Sequence, residues 1–80
     1  MESSEALYIR DLGFLLKERA LEALAQARQE RQEGVGEFHI GRSAAFYEVI
    51  SLMLSQAENF GISAESLALA GVDTERDFIV

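Results

Sequence analysis

The sequence contains no cysteine and a single histidine, His39, among its 80 residues. Without thiols the chain can form neither disulfides nor thiolate metal sites, and one imidazole cannot supply a clustered histidine site. We therefore expect no metal and no cofactor. Because a monomer of this length buries only a modest share of its unfolded surface, association with another subunit is the remaining route to a stable fold.

Basic residues and long apolar runs are also scarce. Seven Lys and Arg residues stand against 14 Asp and Glu residues, for a net charge of −7, and scattered basic side chains oppose direct binding to nucleic acid. No stretch approaches the roughly 20 apolar residues that a membrane span requires, and the first residues lack the basic segment of a secretory signal. We expect a cytoplasmic protein with no membrane partner.

The composition that remains is that of a globular protein with two long helices. We expect one all-α domain over residues 1–80. Ser3 or Ser4 is predicted to cap a helix of about residues 4–33, and Gly34 to end it. Its apolar residues form a main stripe and a second stripe at sevenfold spacing, which predicts two neighbours. The main stripe is Ile9, Leu12, Leu16, Ala20, Ala23, Leu24 and Ala27, and the second is Leu7, Phe14 and Leu21.

A second helix is predicted over about residues 37–60, after a short reversing link. The alternative is that Gly41 breaks this helix and Ser43 caps a later start. The segment is apolar over most of its circumference and belongs inside a core, which a lone antiparallel helical hairpin lacks. We therefore predict that the hairpin dimerises into a four-helix bundle. The residues assigned to the core or the dimer interface are Leu12, Leu16, Leu24, Phe46, Val49, Ile50, Met53 and Phe60.

The last third of the chain is predicted to fold back onto the end of the hairpin. Gly61 followed by Ile62 is typical of a helix that closes on a left-handed glycine. Ser63 is expected to cap a short third helix over about residues 64–70. The tail, residues 72–80, begins with Asp73 or Thr74 as a turn residue and is expected to be docked.

Three side chains at the start of the second helix form a candidate ligand site. His39, Arg42 and Ser43 would together favour a small anion at a helix N-terminus. The competing interpretation is that they are the polar end of a packed helix and pair locally, for example with Glu33 and Glu37. Catalysis by His39 would need more than a serine one turn away, so we expect no catalytic residue and no enzyme activity.

Three functions follow from these observations. The first is a homodimeric module for protein-protein interaction or regulation, with itself and a further protein as partners. The second is an acidic mimic of nucleic acid that inhibits a DNA- or RNA-binding protein. It is suggested by the uneven charge, because residues 1–42 carry eight acidic and six basic side chains (net −2), and residues 43–80 carry six acidic and one basic (net −5). The third is the anion site around His39 and Arg42.

Overall fold

The computed structural model describes residues 2–34 and 37–77. Two α-helices, α1 (Ser4–Gln32) and α2 (Glu37–Asn59), are followed by a 3₁₀ helix (Ala64–Leu67). No strand occurs in the described ranges, so this part of the chain is all-helical, as predicted. No described helix has the combination of length and apolar character needed to cross a membrane.

Both ends of α1 are set by capping residues. The Ser3 hydroxyl accepts a hydrogen bond from the Ala6 amide at 3.1 Å, which identifies Ser3 as the N-cap of the two candidates. At the other end the Gly34 amide donates to the Arg31 carbonyl at 3.1 Å. Gly34 has φ of +81°, a conformation that glycine adopts without steric cost. The predicted glycine stop is confirmed.

α2 is continuous from Glu37 through Gly41, so the alternative start at Ser43 is wrong. The last residue of the helix is Asn59. As predicted, the left-handed Gly61, which has φ of +68°, closes the helix end. The Ile62 amide donates to the Ala57 carbonyl at 2.8 Å and the Gly61 amide to the Glu58 carbonyl at 3.1 Å. This is the bond pattern of a Schellman closure.

The third helix is shorter than predicted. Ser63 does cap it, accepting a hydrogen bond from the Ser66 amide at 3.2 Å, but the helix stops at Leu67 because Ala68 turns left-handed with φ of +57°. The Leu69 amide then donates to the Ala64 carbonyl at 2.9 Å. After this reversal Leu69 is only 1% exposed. Burying a leucine stabilises the fold by about 1.5–3 kcal/mol, which is enough to offset the conformational strain at Ala68.

The described chain has a small core between the two helices and the 3₁₀ helix. α1 approaches α2 through alanines at positions 20, 23 and 27, which are fully buried. Of the residues predicted for the core or interface, Leu24 and Ile50 are buried. Four more are half-buried in the single chain, namely Leu12, Leu16, Phe46 and Met53. The remaining two, Val49 and Phe60, are exposed. The buried cluster consists of Ala20, Leu24, Ile50, Ala57, Leu67 and Leu69.

Gly13 lets the 3₁₀ helix lie directly against α1. A Cβ atom at this position would lie 1.8 Å from the backbone oxygen of Leu67, far inside van der Waals contact, so only glycine fits. The contact holds the 3₁₀ helix across the hairpin, where Leu67 joins the core.

The tail begins with the turn that Asp73 predicts. Its Oδ1 accepts hydrogen bonds from the amides of Glu75 at 3.0 Å and Arg76 at 3.2 Å, so Asp73 is the turn residue. Val72 packs against the core cluster. The predicted docking of residues 78–80 lies outside the described residues.

Candidate functional site

The single histidine joins the two helices at the open end of the hairpin. His39 is in the first turn of α2, and its Nδ1 lies 2.7 Å from Oε1 of Glu30 in the last turns of α1. Both side chains are about three-quarters buried. The partner is therefore Glu30, and not Glu33 or Glu37 as the sequence suggested. A carboxylate held against the imidazole opposes an anion at the same place, since like charges repel.

Arg42 and Ser43 have separate surroundings. The Arg42 guanidinium carbon lies 5.5 Å from the centre of the Phe46 ring, in a cation–π contact along α2. Ser43 is 1% exposed, and its Oγ has no hydrogen-bond partner within the described part of the chain. His39, Arg42 and Ser43 are thus neighbours in sequence with three different roles. Residues 2–34 and 37–77 also hold no cluster of three acidic or imidazole side chains suited to a metal ion.

A line of side chains, all exposed except the half-buried Arg42, runs the full length of α2. Successive members are separated by three or four residues, the spacing of one helical face. Its most exposed large apolar members are Phe38 at 75%, Leu52 at 62% and Phe60 at 76%. We call this line the α2 seam, and its residues are Phe38, Arg42, Ala45, Val49, Leu52, Gln56 and Phe60.

The second stripe of α1, predicted from sevenfold spacing, is also unpartnered in the single chain. Leu7, Phe14 and Leu21 are each nearly half exposed. Leu7 and Phe14 line an open groove of about 710 Å³ together with Tyr8 and Ala68. The groove is also lined by the polar residues Ser4, Arg10 and Asp11. A mainly apolar surface that also carries polar side chains is typical of a protein-binding surface.

Comparisons of this chain with protein-family models, with curated proteins and with solved structures found no match. Function is therefore inferred from the surfaces of the molecule itself.

A second, smaller recess of about 210 Å³ is almost wholly apolar and adjoins the α2 seam at Gln56 and Phe60. Its other walls are Ile9, Met53, Ala57, Ile62 and Leu67.

Asp73 and Asp77, near the C-terminal end, are engaged in the tail turn through their side chains. Oδ2 of Asp77 accepts the Asp73 amide at 2.9 Å, and Oδ1 accepts Nε of Arg76 at 2.9 Å. The Arg76 hydrogen bond, and after it the Asp73 amide, hold the pKa of Asp77 below its ordinary value of 3.8. The same ion pair raises the pKa of Arg76. These carboxylates stabilise a turn.

Three important residues were missing from the sequence-based assignment. Phe38 was left out although it continues the three-and-four spacing of α2, which would have identified it. Gly13 was overlooked although a glycine inside a helix costs about 1 kcal/mol relative to alanine and so signals a close contact. Glu30 carries no local signal, because its contact with His39 depends on the register of the hairpin.

Proposed function

We propose that this chain is a non-catalytic protein-interaction module that works as a homodimer. The observation that carries the proposal is an excess of exposed surface. The chain exposes 5621 Å², whereas a folded monomer of 8.9 kDa is expected to expose about 4,800 Å². The excess of about 800 Å² equals the area that each partner contributes to a standard interface.

The shape of the chain supports the same proposal. Its radius of gyration is 14.0 Å and its extents are 49 × 21 × 17 Å, while a compact chain of this length has a radius near 12 Å. A body this thin cannot cover both sides of its helices. A second copy would cover one side and convert two hairpins into a four-helix bundle.

The two exposed surfaces suit different partners under this proposal. The α2 seam is long, continuous and mainly apolar, and we assign it to a second copy of the chain. The groove beside Leu7 and Phe14 lies on the other helix and is assigned to a further protein. The proposed location is the cytoplasm, which fractionation of cells expressing the tagged chain would check.

The proposed role of His39 is structural. Catalysis by His39 would need a nucleophile or a substrate at the imidazole, and the nearby serine, Ser43, is buried. We therefore assign the contact between Nδ1 of His39 and Glu30 to holding the two helices together. The pair ties the start of α2 to the end of α1, and this contact fixes the register of the hairpin.

Sedimentation equilibrium over concentrations of about 1–100 μM tests the proposal, because this range spans the affinities of ordinary homodimers. We expect a mass twice the 8.9 kDa of one chain. A folded species with the mass of one chain across the whole range would overturn the dimer.

A further inference from the structure

The α2 seam is nearly symmetric about Val49. Phe38 and Phe60 lie eleven residues before and after it, and eleven residues correspond to about three whole turns, or roughly 16 Å. The three side chains therefore lie along one line of the helix. Both phenylalanines are about three-quarters exposed and Val49 is 42% exposed.

We propose that a second copy of this chain covers the α2 seam, with the two α2 helices antiparallel and the twofold axis passing beside Val49. The inference rests on the proposed homodimer and specifies its interface. Val49 then packs against Val49 of the second copy. At each end of the seam, Phe38 of one copy packs against Phe60 of the other, so both exposed rings are covered.

The residues between these points are complementary in the antiparallel arrangement. Ala45 faces Leu52 of the second copy, which sets a small side chain against a large one and allows the helices to interdigitate. Arg42 faces Gln56, whose amide oxygen accepts a hydrogen bond from the guanidinium.

A parallel arrangement of the same seam is much less favourable. It would set Arg42 against Arg42, and like charges facing each other across an interface cost several kcal/mol. It would also set Ala45 against Ala45 and leave a void, which forfeits packing energy. The pattern of the seam therefore selects the antiparallel pairing.

The exposed area is large enough for a stable interface. The exposed parts of Phe38, Val49, Leu52 and Phe60 supply roughly 500 Å² of the about 800 Å² that one partner contributes to a standard interface. The exposed parts of Arg42, Ala45 and Gln56 add to this area.

Single cysteines test the geometry, because the natural chain has none. Facing positions on two packed helices place Cα atoms about 4–6 Å apart, within the range for a disulfide. We expect Val49→Cys to form a disulfide-linked dimer in a glutathione buffer. Linkage should be at least about ten-fold faster than for the exposed control Ser55→Cys, because the dimer raises the effective thiol concentration into the millimolar range.

Two further variants distinguish the direction of the helices. In the antiparallel pairing the two copies of Leu52 are offset by about 9 Å along the helix axis, so Leu52→Cys alone should not crosslink. Phe38→Cys and Phe60→Cys should each stay unlinked alone and form a mixed disulfide when combined. Rapid crosslinking of Leu52→Cys or of Phe38→Cys alone would overturn the antiparallel pairing.

An acidic substitution gives an independent measurement in solution. Val49→Glu sets two carboxylates against each other at the axis and should weaken dimerisation at least about ten-fold, while Ser55→Glu should not. Val49 contributes little to the core of one chain, so the variant should keep its helical circular dichroism. If the wild type is a dimer but Val49→Glu has no effect and Val49→Cys fails to link, this interface is wrong and the homodimer stands. A wild-type protein that is monomeric would overturn both the homodimer and this interface.

Discussion

At the scale of single residues, two glycines lie inside helices in contrasting surroundings. Gly13 of α1 is pressed against the backbone of Leu67, whereas an added Cβ at Gly41 of α2 would meet nothing within 4 Å. Glycine weakens a helix interior by about 1 kcal/mol relative to alanine. At Gly13 this cost is offset by the docking of the 3₁₀ helix, and at Gly41 no contact compensates for it.

We predict opposite effects of alanine at these two positions. Gly13→Ala should destabilise the protein by about 2–4 kcal/mol, because the 3₁₀ helix must move away from α1. Gly41→Ala, the matched control, should stabilise it by about 0.5–1 kcal/mol. Urea unfolding followed by circular dichroism measures both free energies. Equal effects at the two positions would contradict the close contact with Leu67.

Ser43 provides a second prediction for a single side chain. A buried hydroxyl without a partner costs about 1–3 kcal/mol, and alanine also has the higher helix propensity. Ser43→Ala should therefore raise the free energy of unfolding by about 1 kcal/mol or more. Ser55→Ala, at an exposed position, measures the effect of helix propensity alone on the free energy of unfolding, which should be about 0.5 kcal/mol. A loss of stability in Ser43→Ala would show that the hydroxyl has a partner.

At the scale of secondary-structure elements, helix ends were easier to predict from the sequence than the third helix. Ser3, Gly34 and Gly61 act through hydrogen bonds and backbone angles within a few residues, so local sequence determines them. The third helix ends early because Ala68 adopts a left-handed conformation that alanine does not favour. The left-handed conformation of Ala68 depends on burying Leu69 in the core. Helix propensity does not account for this tertiary effect.

We predict that glycine at position 68 stabilises the 3₁₀ helix. The left-handed conformation costs a non-glycine residue about 1–2 kcal/mol, and glycine removes this cost while adding some entropy to the unfolded chain. Ala68→Gly should therefore gain about 0.5–1 kcal/mol. Ala70→Gly, at an exposed position without positive φ, should be neutral or destabilising. Thermal unfolding of the two variants makes the comparison.

The tail turn should be sensitive to acid. The pKa of Asp77 is lowered on folding, so its contribution to the turn is present above the unfolded value of 3.8 and disappears as the pH falls through the lower folded value. The amide of Asp73, which donates to Asp77, should shift in NMR spectra over that pH range. Asp77→Asn should reduce this shift, because the part of it that comes from the Asp77 carboxylate is lost. If the chemical shift of the Asp73 amide depends on pH in the variant just as it does in the wild type, the bond to Asp77 is excluded.

At the scale of the whole molecule, periodicity predicted which surfaces are apolar but not which of them face each other. The buried Ile50 and the exposed Val49 are adjacent in sequence and chemically similar, and only the position of α1 separates their roles. The pairing of Glu30 with His39 was beyond sequence reasoning for the same reason. The sequence also suggested that one hairpin has no interior, yet the 3₁₀ helix closes a small core over Leu24 and Ile50.

A dimer that shares its core should melt at a temperature that depends on concentration. If unfolding and dissociation are coupled, a tenfold increase in protein should raise Tm by about 4 °C, given an unfolding enthalpy near 0.7 kcal/mol per residue over both chains. Leu52→Asp on the α2 seam should lower Tm and remove this dependence, because the charge would be buried only in the dimer. Ser55→Asp on the polar side should retain it. Calorimetry at several concentrations provides the measurement, and a wild-type Tm that is constant on dilution would mean that each chain unfolds alone.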